Sequence, residues 1–110
     1  MEITVREDTG FNVVGLCGPL DTGTAPEVGK KLDELIEGGA TKVVVDMTRV
    51  DYVSSAGLRV LLASAKRLRK AGGNLFVCGL NETVQEVFDM SGFSSILKVF
   101  ANADEALRGL

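Results

Sequence analysis

Two adjacent serines, Ser54 and Ser55, stand where the approach Val50-Asp51-Tyr52-Val53 gives way to a helical repeat that opens Ala56-Gly57-Leu58-Arg59. The first N–H groups of a helix lack intrahelical partners, and the helix dipole is positive there. A serine at such a point has two chemistries open to it. Its oxygen can cap the helix, a contribution of about 1 kcal/mol. Alternatively it can carry a phosphate, whose charge of roughly −1.5 to −2 is stabilised by donors already in place. Two neighbouring serines allow one to cap while the other faces solvent, and spacing alone does not say which does which. Gly57 leaves room close to the backbone.

A second set of candidates is acidic. Asp21, Asp46 and Asp51 each lie at or just beyond the end of a strand-like run, so they are candidates to converge at one end of a sheet as acid, base or Mg²⁺ ligands. The competing reading is structural, with Asp21 turning a loop and Asp46 binding backbone at a strand end. The chain has no histidine. Ser-His-Asp and Cys-His devices are therefore excluded, and the commonest general base near neutral pH is missing. Cys17 and Cys78 each sit in an apolar stretch with no second cysteine nearby, which reads as two buried thiols and no zinc set. The nearest approach to a phosphate-cradling loop, Gly23 through Gly29-Lys30-Lys31, has five residues between its glycines and a lysine where a hydroxyl belongs. Gly15 and Gly18 do not make a dinucleotide fingerprint. No catalytic residue, metal site or cofactor is assigned, and a small enzyme built on the three aspartates is the remaining catalytic reading.

The elements that must position these residues follow from hydrophobic period and punctuation. Ile3 and Val5 alternate, and Phe11 to Cys17 forms a second apolar run after Asp8-Thr9-Gly10, which predicts a hairpin. Thr24 with Glu27 three residues on predicts a capping box, with Pro26 in the first turn. Val28, Leu32, Leu35 and Ile36 share one face of that helix, and Gly38-Gly39 end it. Val43-Val44-Val45 reads as a central strand buried on both faces, with Asp46 at its end. Leu58, Leu61, Leu62, Ala65 and Leu68 repeat at helical spacing, with Arg59, Lys66, Arg67, Arg69 and Lys70 mostly off the stripe. Gly72-Gly73 stop this second helix before the strand Leu75 to Cys78. Asn81 caps a third helix that turns Val84, Val87 and Phe88 inward until Ser91-Gly92. Ile96 to Phe100 reads as a last strand, and Asn102-Ala103-Asp104-Glu105 as the capping box of a C-terminal helix. The order ββαβαβαβα predicts an α/β fold, a mixed four- to five-stranded sheet packed against its crossover helices.

Composition agrees. With 110 residues, 45% hydrophobic and 25% charged, the chain is large enough to bury one core without disulfides and too apolar to be disordered. One domain over residues 1–110 is expected. A net charge of −3 gives no footprint for nucleic acid, which is bound by neutralising phosphates. No apolar run approaches the roughly 18 residues of a membrane span. The start Met1-Glu2-Ile3-Thr4-Val5-Arg6-Glu7 lacks the layout of a signal peptide, so a cytoplasmic protein with no membrane partner is expected. With no long apolar edge or coiled-coil repeat, the default is a monomer.

The stretch Val53-Ser54-Ser55-Ala56-Gly57-Leu58-Arg59-Val60-Leu61 resembles the phosphorylation motif of bacterial anti-sigma-factor antagonists, which are built from the STAS domain. Gly18-Pro19-Leu20-Asp21 is similar to the early Gly-x-Leu-Asp turn of that family. Val45-Asp46-Met47 resembles its central strand, and Phe88-Asp89-Met90-Ser91-Gly92-Phe93 its late helix end. The resemblance covers nearly the whole chain and implies a STAS-like fold. It further implies partner switching: the unphosphorylated protein binds an anti-sigma factor that is also a serine kinase, frees the sigma factor, and is released once phosphorylated. A metal-dependent serine phosphatase then resets it, and the ATP and metal belong to these partners. The family pattern is Asp-Ser-[Ser/Thr]-Gly-Leu with the serine after the aspartate as acceptor. Matching the Gly-Leu pair places the acceptor on Ser55, with Ser54 in the aspartate position and Ala56 in place of the second hydroxyl residue. Ser54 is the alternative acceptor. The implied partner-binding face comprises Asp21, Ser54, Ser55, Ala56, Gly57, Leu58 and Arg59, with Met90 and Phe93 as a less favoured apolar extension. The competing function is a STAS module that senses a nucleotide or small anion at the same helix N-terminus without phosphorylation.

Overall fold

The computed structural model describes residues 1–93 and 97–108. The predicted hairpin forms between β1 (Glu2–Asp8) and β2 (Phe11–Cys17). Thr9 and Gly10 both have positive φ, 49° and 84°, the two-residue turn whose twist matches that of the flanking strands. β2 is followed by three crossover units: α1 (Ala25–Glu37) to β3 (Lys42–Arg49), α2 (Ser55–Lys70) to β4 (Asn74–Cys78), and α3 (Glu82–Met90) to β5 (Lys98–Phe100). The strands line up β1-β2-β3-β4-β5, antiparallel only at the first pair. β5 is shorter than the run read from the sequence: it begins at Lys98, and Ile96 lies outside the described residues.

The unbroken Val43-Val44-Val45 run is explained by two cores. Val14, Leu16, Val43, Val45, Met47, Leu75 and Val77 point to one face of the sheet and pack under Val28 and Leu32 of α1, Leu58, Leu61 and Leu68 of α2, and Val84 and Phe88 of α3. The alternate residues Phe11, Val13, Val44, Phe76 and Cys78 point the other way, onto Ala103, Ala106 and Leu107 of α4 (Ala103–Arg108). Asn102 Oδ1 starts α4 by accepting the Glu105 N–H at 2.8 Å, as its capping sequence predicts. Helix α4 packs most closely on β3, β4 and β5 and reaches Phe11 and Val13 of β2, so the second face is roofed in part and stays open around Gly15, Cys17 and Asp46.

Two expectations need correcting here. Asp46 does not end its strand: β3 continues through Met47, Thr48 and Arg49, and Asp46 pairs with Gly15 and Cys78 inside the sheet. The charged residues misled because they occupy the part of the second face that α4 leaves open. Cys17 is also only half-buried, at the end of β2 beside edge strand β1, whereas Cys78 is buried. Burial, reinforced by the Asp46 carboxylate, pushes the Cys78 thiol from 9.0 up to about 12. The folded chain thus holds that proton more tightly than the unfolded one, and the resulting stability is intact below about pH 9. It is expected to fall as pH rises from about 9 towards 12, a slope that Cys78→Ala removes when urea midpoints are followed against pH.

Candidate functional site

The two loops that follow β2 and β3 are stitched together. Gly18 N–H donates to the Arg49 carbonyl at 3.1 Å, Leu20 N–H to the Tyr52 carbonyl at 2.9 Å, and Ser54 N–H to the Leu20 carbonyl at 2.9 Å. Leu20 and Val53 make an isolated parallel bridge, and both side chains are buried. Here the chain continues the β2–β3 pairing briefly beyond the sheet, which fixes where α2 begins. Gly57 permits the fit: a Cβ there would lie 2.7 Å from Leu20 Cγ and 2.9 Å from the Leu20 carbonyl oxygen.

This arrangement separates the two serines. Ser54 is held extended (φ −87°, ψ 170°), the conformation a capping residue needs. Its Oγ accepts the Gly57 N–H at 3.2 Å, and its carbonyl accepts the Leu58 N–H at 3.0 Å. Ser55 is the first residue of α2 and is exposed; no hydrogen bond from a described residue reaches its hydroxyl. Ser54→Ala is therefore expected to lower stability by about 1 kcal/mol in urea unfolding, and Ser55→Ala by no more than a few tenths.

The surroundings of Ser55 favour an anion. The first turn of α2 contains no acidic residue, so nothing on that turn offsets the positive end of the dipole. Arg59, one helical turn on at the i+4 position and exposed, faces the same side as Ser55. Of the five cations on α2, Arg67 is paired with Asp33 and Glu37 of α1. A groove of about 390 Å³ opens beside the serine between the starts of α1 and α2, lined by Thr22, Ala25, Pro26, Ala56, Arg59, Val60 and Ala63.

The other predicted site residues fall as follows. Asp21 turns its loop, Oδ1 accepting the Gly23 N–H at 2.9 Å and the Thr24 N–H at 3.1 Å. The predicted Thr24 cap is absent: the Thr24 hydroxyl donates back to the Pro19 carbonyl at 2.8 Å and accepts the Asp21 N–H at 2.9 Å. Asp46 Oδ1 accepts from Thr48 N–H (3.0 Å) and Thr48 Oγ1 (2.6 Å), and Asp51 is exposed. Among the described residues no three His, Cys, Asp or Glu side chains gather to hold a metal, so the three aspartates do not form one metal site. Gly57 and Leu58 are buried and seat the helix, whereas Ser55 and Arg59 are exposed and Ala56 is half-buried. Met90 is 87% exposed, whereas Phe93 packs on the main core. Sequence reasoning missed Tyr52, 54% exposed beside the serines, and the groove. The only sequence cue to the groove is the small residues Ala25, Ala56 and Ala63.

Among the described residues no helix is long and apolar enough to cross a membrane. The STAS domain family model matches residues 2–106. BtrV of Bordetella bronchiseptica, a candidate anti-sigma factor antagonist, is 42% identical over 106 residues, covering 96% of this chain and 90% of BtrV. The anti-sigma F factor antagonist of Paenibacillus polymyxa is 31% identical over 111 residues, covering 100% of this chain and 95% of its own. In fold, the Bacillus cell fate determinant SpoIIAA, solved in its phosphorylated form, superposes with a TM-score of 0.76 at 23% identity, covering 97% of each chain. The stitched loops and the exposed serine thus sit in a fold shared with such antagonists, and the chain belongs to the STAS domain family.

Proposed function

We propose that this chain is an anti-sigma-factor antagonist that acts by partner switching, with Ser55 as the phosphorylated residue. The observation that carries the reading is the division of labour between the serines: Ser54 is occupied as the cap while Ser55 presents a hydroxyl to solvent at the same helix start. A kinase must reach its acceptor oxygen and must not unfold the loop to do so. Only Ser55 meets both conditions.

Unphosphorylated, the chain docks on its anti-sigma factor through Ser55, Ala56, Arg59, the Asp21 loop and the groove beside them. The apolar lining, with Arg59 at the rim, has the make-up of a recognition surface. Phosphate transferred from ATP on the kinase places roughly two negative charges at the centre of that face, beside the α2 amides and Arg59. The modified chain keeps its fold and loses its partner. A metal-dependent phosphatase restores the hydroxyl. Catalysis, ATP and metal all reside in the partners, and the chain itself is a ligand that is switched. Phosphate localisation on protein from its own cells, resolving Ser55 from Ser54, is the test.

A further inference from the structure

The part of the second sheet face that α4 leaves open holds a cavity of about 270 Å³, lined by Glu2, Thr4, Gly15, Cys17, Asp46 and Arg49 among others. Its floor is kept low by Gly15. This glycine lies inside β2 with no positive φ, at the point where the β2–β3 register shifts between Gly15 and Cys17, and glycine within a strand marks such a bulge or a place where another group comes close. A Cβ there would stand 2.7 Å from Thr4 Oγ1 and would fill the space. Asp46 is engaged by Thr48. Glu2 and Arg49 are not engaged: among the described residues neither has an ion-pair partner. Register sets Glu2 opposite Cys17 and Cys17 opposite Arg49. The two charges therefore rise from backbones two strand spacings apart, about 10 Å, with a small thiol residue between them.

We infer that this cavity binds a small zwitterion of amino-acid type, its carboxylate on the Arg49 guanidinium and its ammonium on Glu2. A guanidinium takes a carboxylate through two parallel hydrogen bonds, and the two unpaired opposite charges across the cavity are matched by a molecule carrying both. The volume suits one such molecule. The site is on the opposite face of the sheet from α2 and owes nothing to Ser55, so its fate and that of the switch are read separately.

The test is titration of ¹⁵N-labelled protein with glycine, γ-aminobutyrate and L-lysine to about 20 mM, with acetate and methylamine as controls, followed by amide shifts. Saturable shifts at Gly15, Cys17, Thr48 and Arg49 with at least one zwitterion are expected. Arg49→Gln and Glu2→Gln should each weaken binding roughly tenfold or more, and Gly15→Val should abolish it with the fold retained in the same spectra. The inference is overturned if no zwitterion gives saturable shifts at these amides, if acetate binds as tightly, or if Arg49→Gln binds as well as the parent chain.

Discussion

Ser55→Asp is expected to weaken binding to the anti-sigma factor by about 100-fold while leaving the thermal midpoint within a degree or two of the parent. The first half follows from placing a fixed negative charge at the middle of the proposed docking face, which must be desolvated on binding. An uncompensated charge there costs several kcal/mol, and 100-fold corresponds to about 2.7 kcal/mol. The second half follows from position. Ser55 is exposed at the first turn of α2, where a carboxylate meets the positive end of the dipole, has no acidic neighbour on that turn and sees Arg59 four residues on. Ser55→Ala should bind like the parent and never be released by kinase and ATP. Titration calorimetry with scanning calorimetry reads both halves. A Ser55→Asp chain that binds as tightly as the parent would sink the switch reading.

Gly57→Ala carries the second large effect, and it tests the scaffold instead of the switch. Its Cβ meets both the side chain and the carbonyl oxygen of Leu20, at 2.7 and 2.9 Å. The start of α2 must therefore move away from the loop after β2, at an expected cost of about 2 kcal/mol in urea unfolding. Truncating Leu20 removes the side-chain contact but leaves the carbonyl at 2.9 Å, and a buried leucine is lost. Gly57→Ala/Leu20→Ala is expected to be less stable than either single variant. Partner affinity should fall in Gly57→Ala even though Ser55 is untouched, since the serine is carried on the displaced turn.

Most of the fold was legible because its elements carry strong local instructions. The Thr9-Gly10 turn, the apolar stripe from Leu58 to Leu68 and the Asn81 cap, whose Oδ1 accepts the Val84 N–H at 2.8 Å, each depend on residues a few positions apart. The failures share a different cause. Thr24 has the residue type and spacing of a cap, but Asp21 captures its N–H and Pro19 its hydroxyl, a competition set by loop geometry. Asp46 looks like a strand end because charge seldom lies within a central strand. It lies within this one because α4 covers Phe11, Val13, Val44, Phe76 and Cys78 but leaves the Asp46 part of the face open, and no periodicity states how far a helix reaches across a sheet. The roles of Ser54 and Ser55 were undetermined for the same reason. Which serine caps depends on where α2 begins, and that is set by the Leu20–Val53 bridge, a contact between loops far apart in sequence. Family resemblance pointed to Ser55 by motif matching; the geometry supplies an independent physical reason to prefer it.

Whether Ser55 is the covalently switched residue is read directly by fragmentation mass spectrometry of the protein from its own cells. A species heavier by about 80 Da is expected, with the phosphate on Ser55 and the Ser54 hydroxyl unmodified, its abundance changing with growth or stress. A phosphate found on Ser54, or a chain unmodified under every such condition, would contradict it.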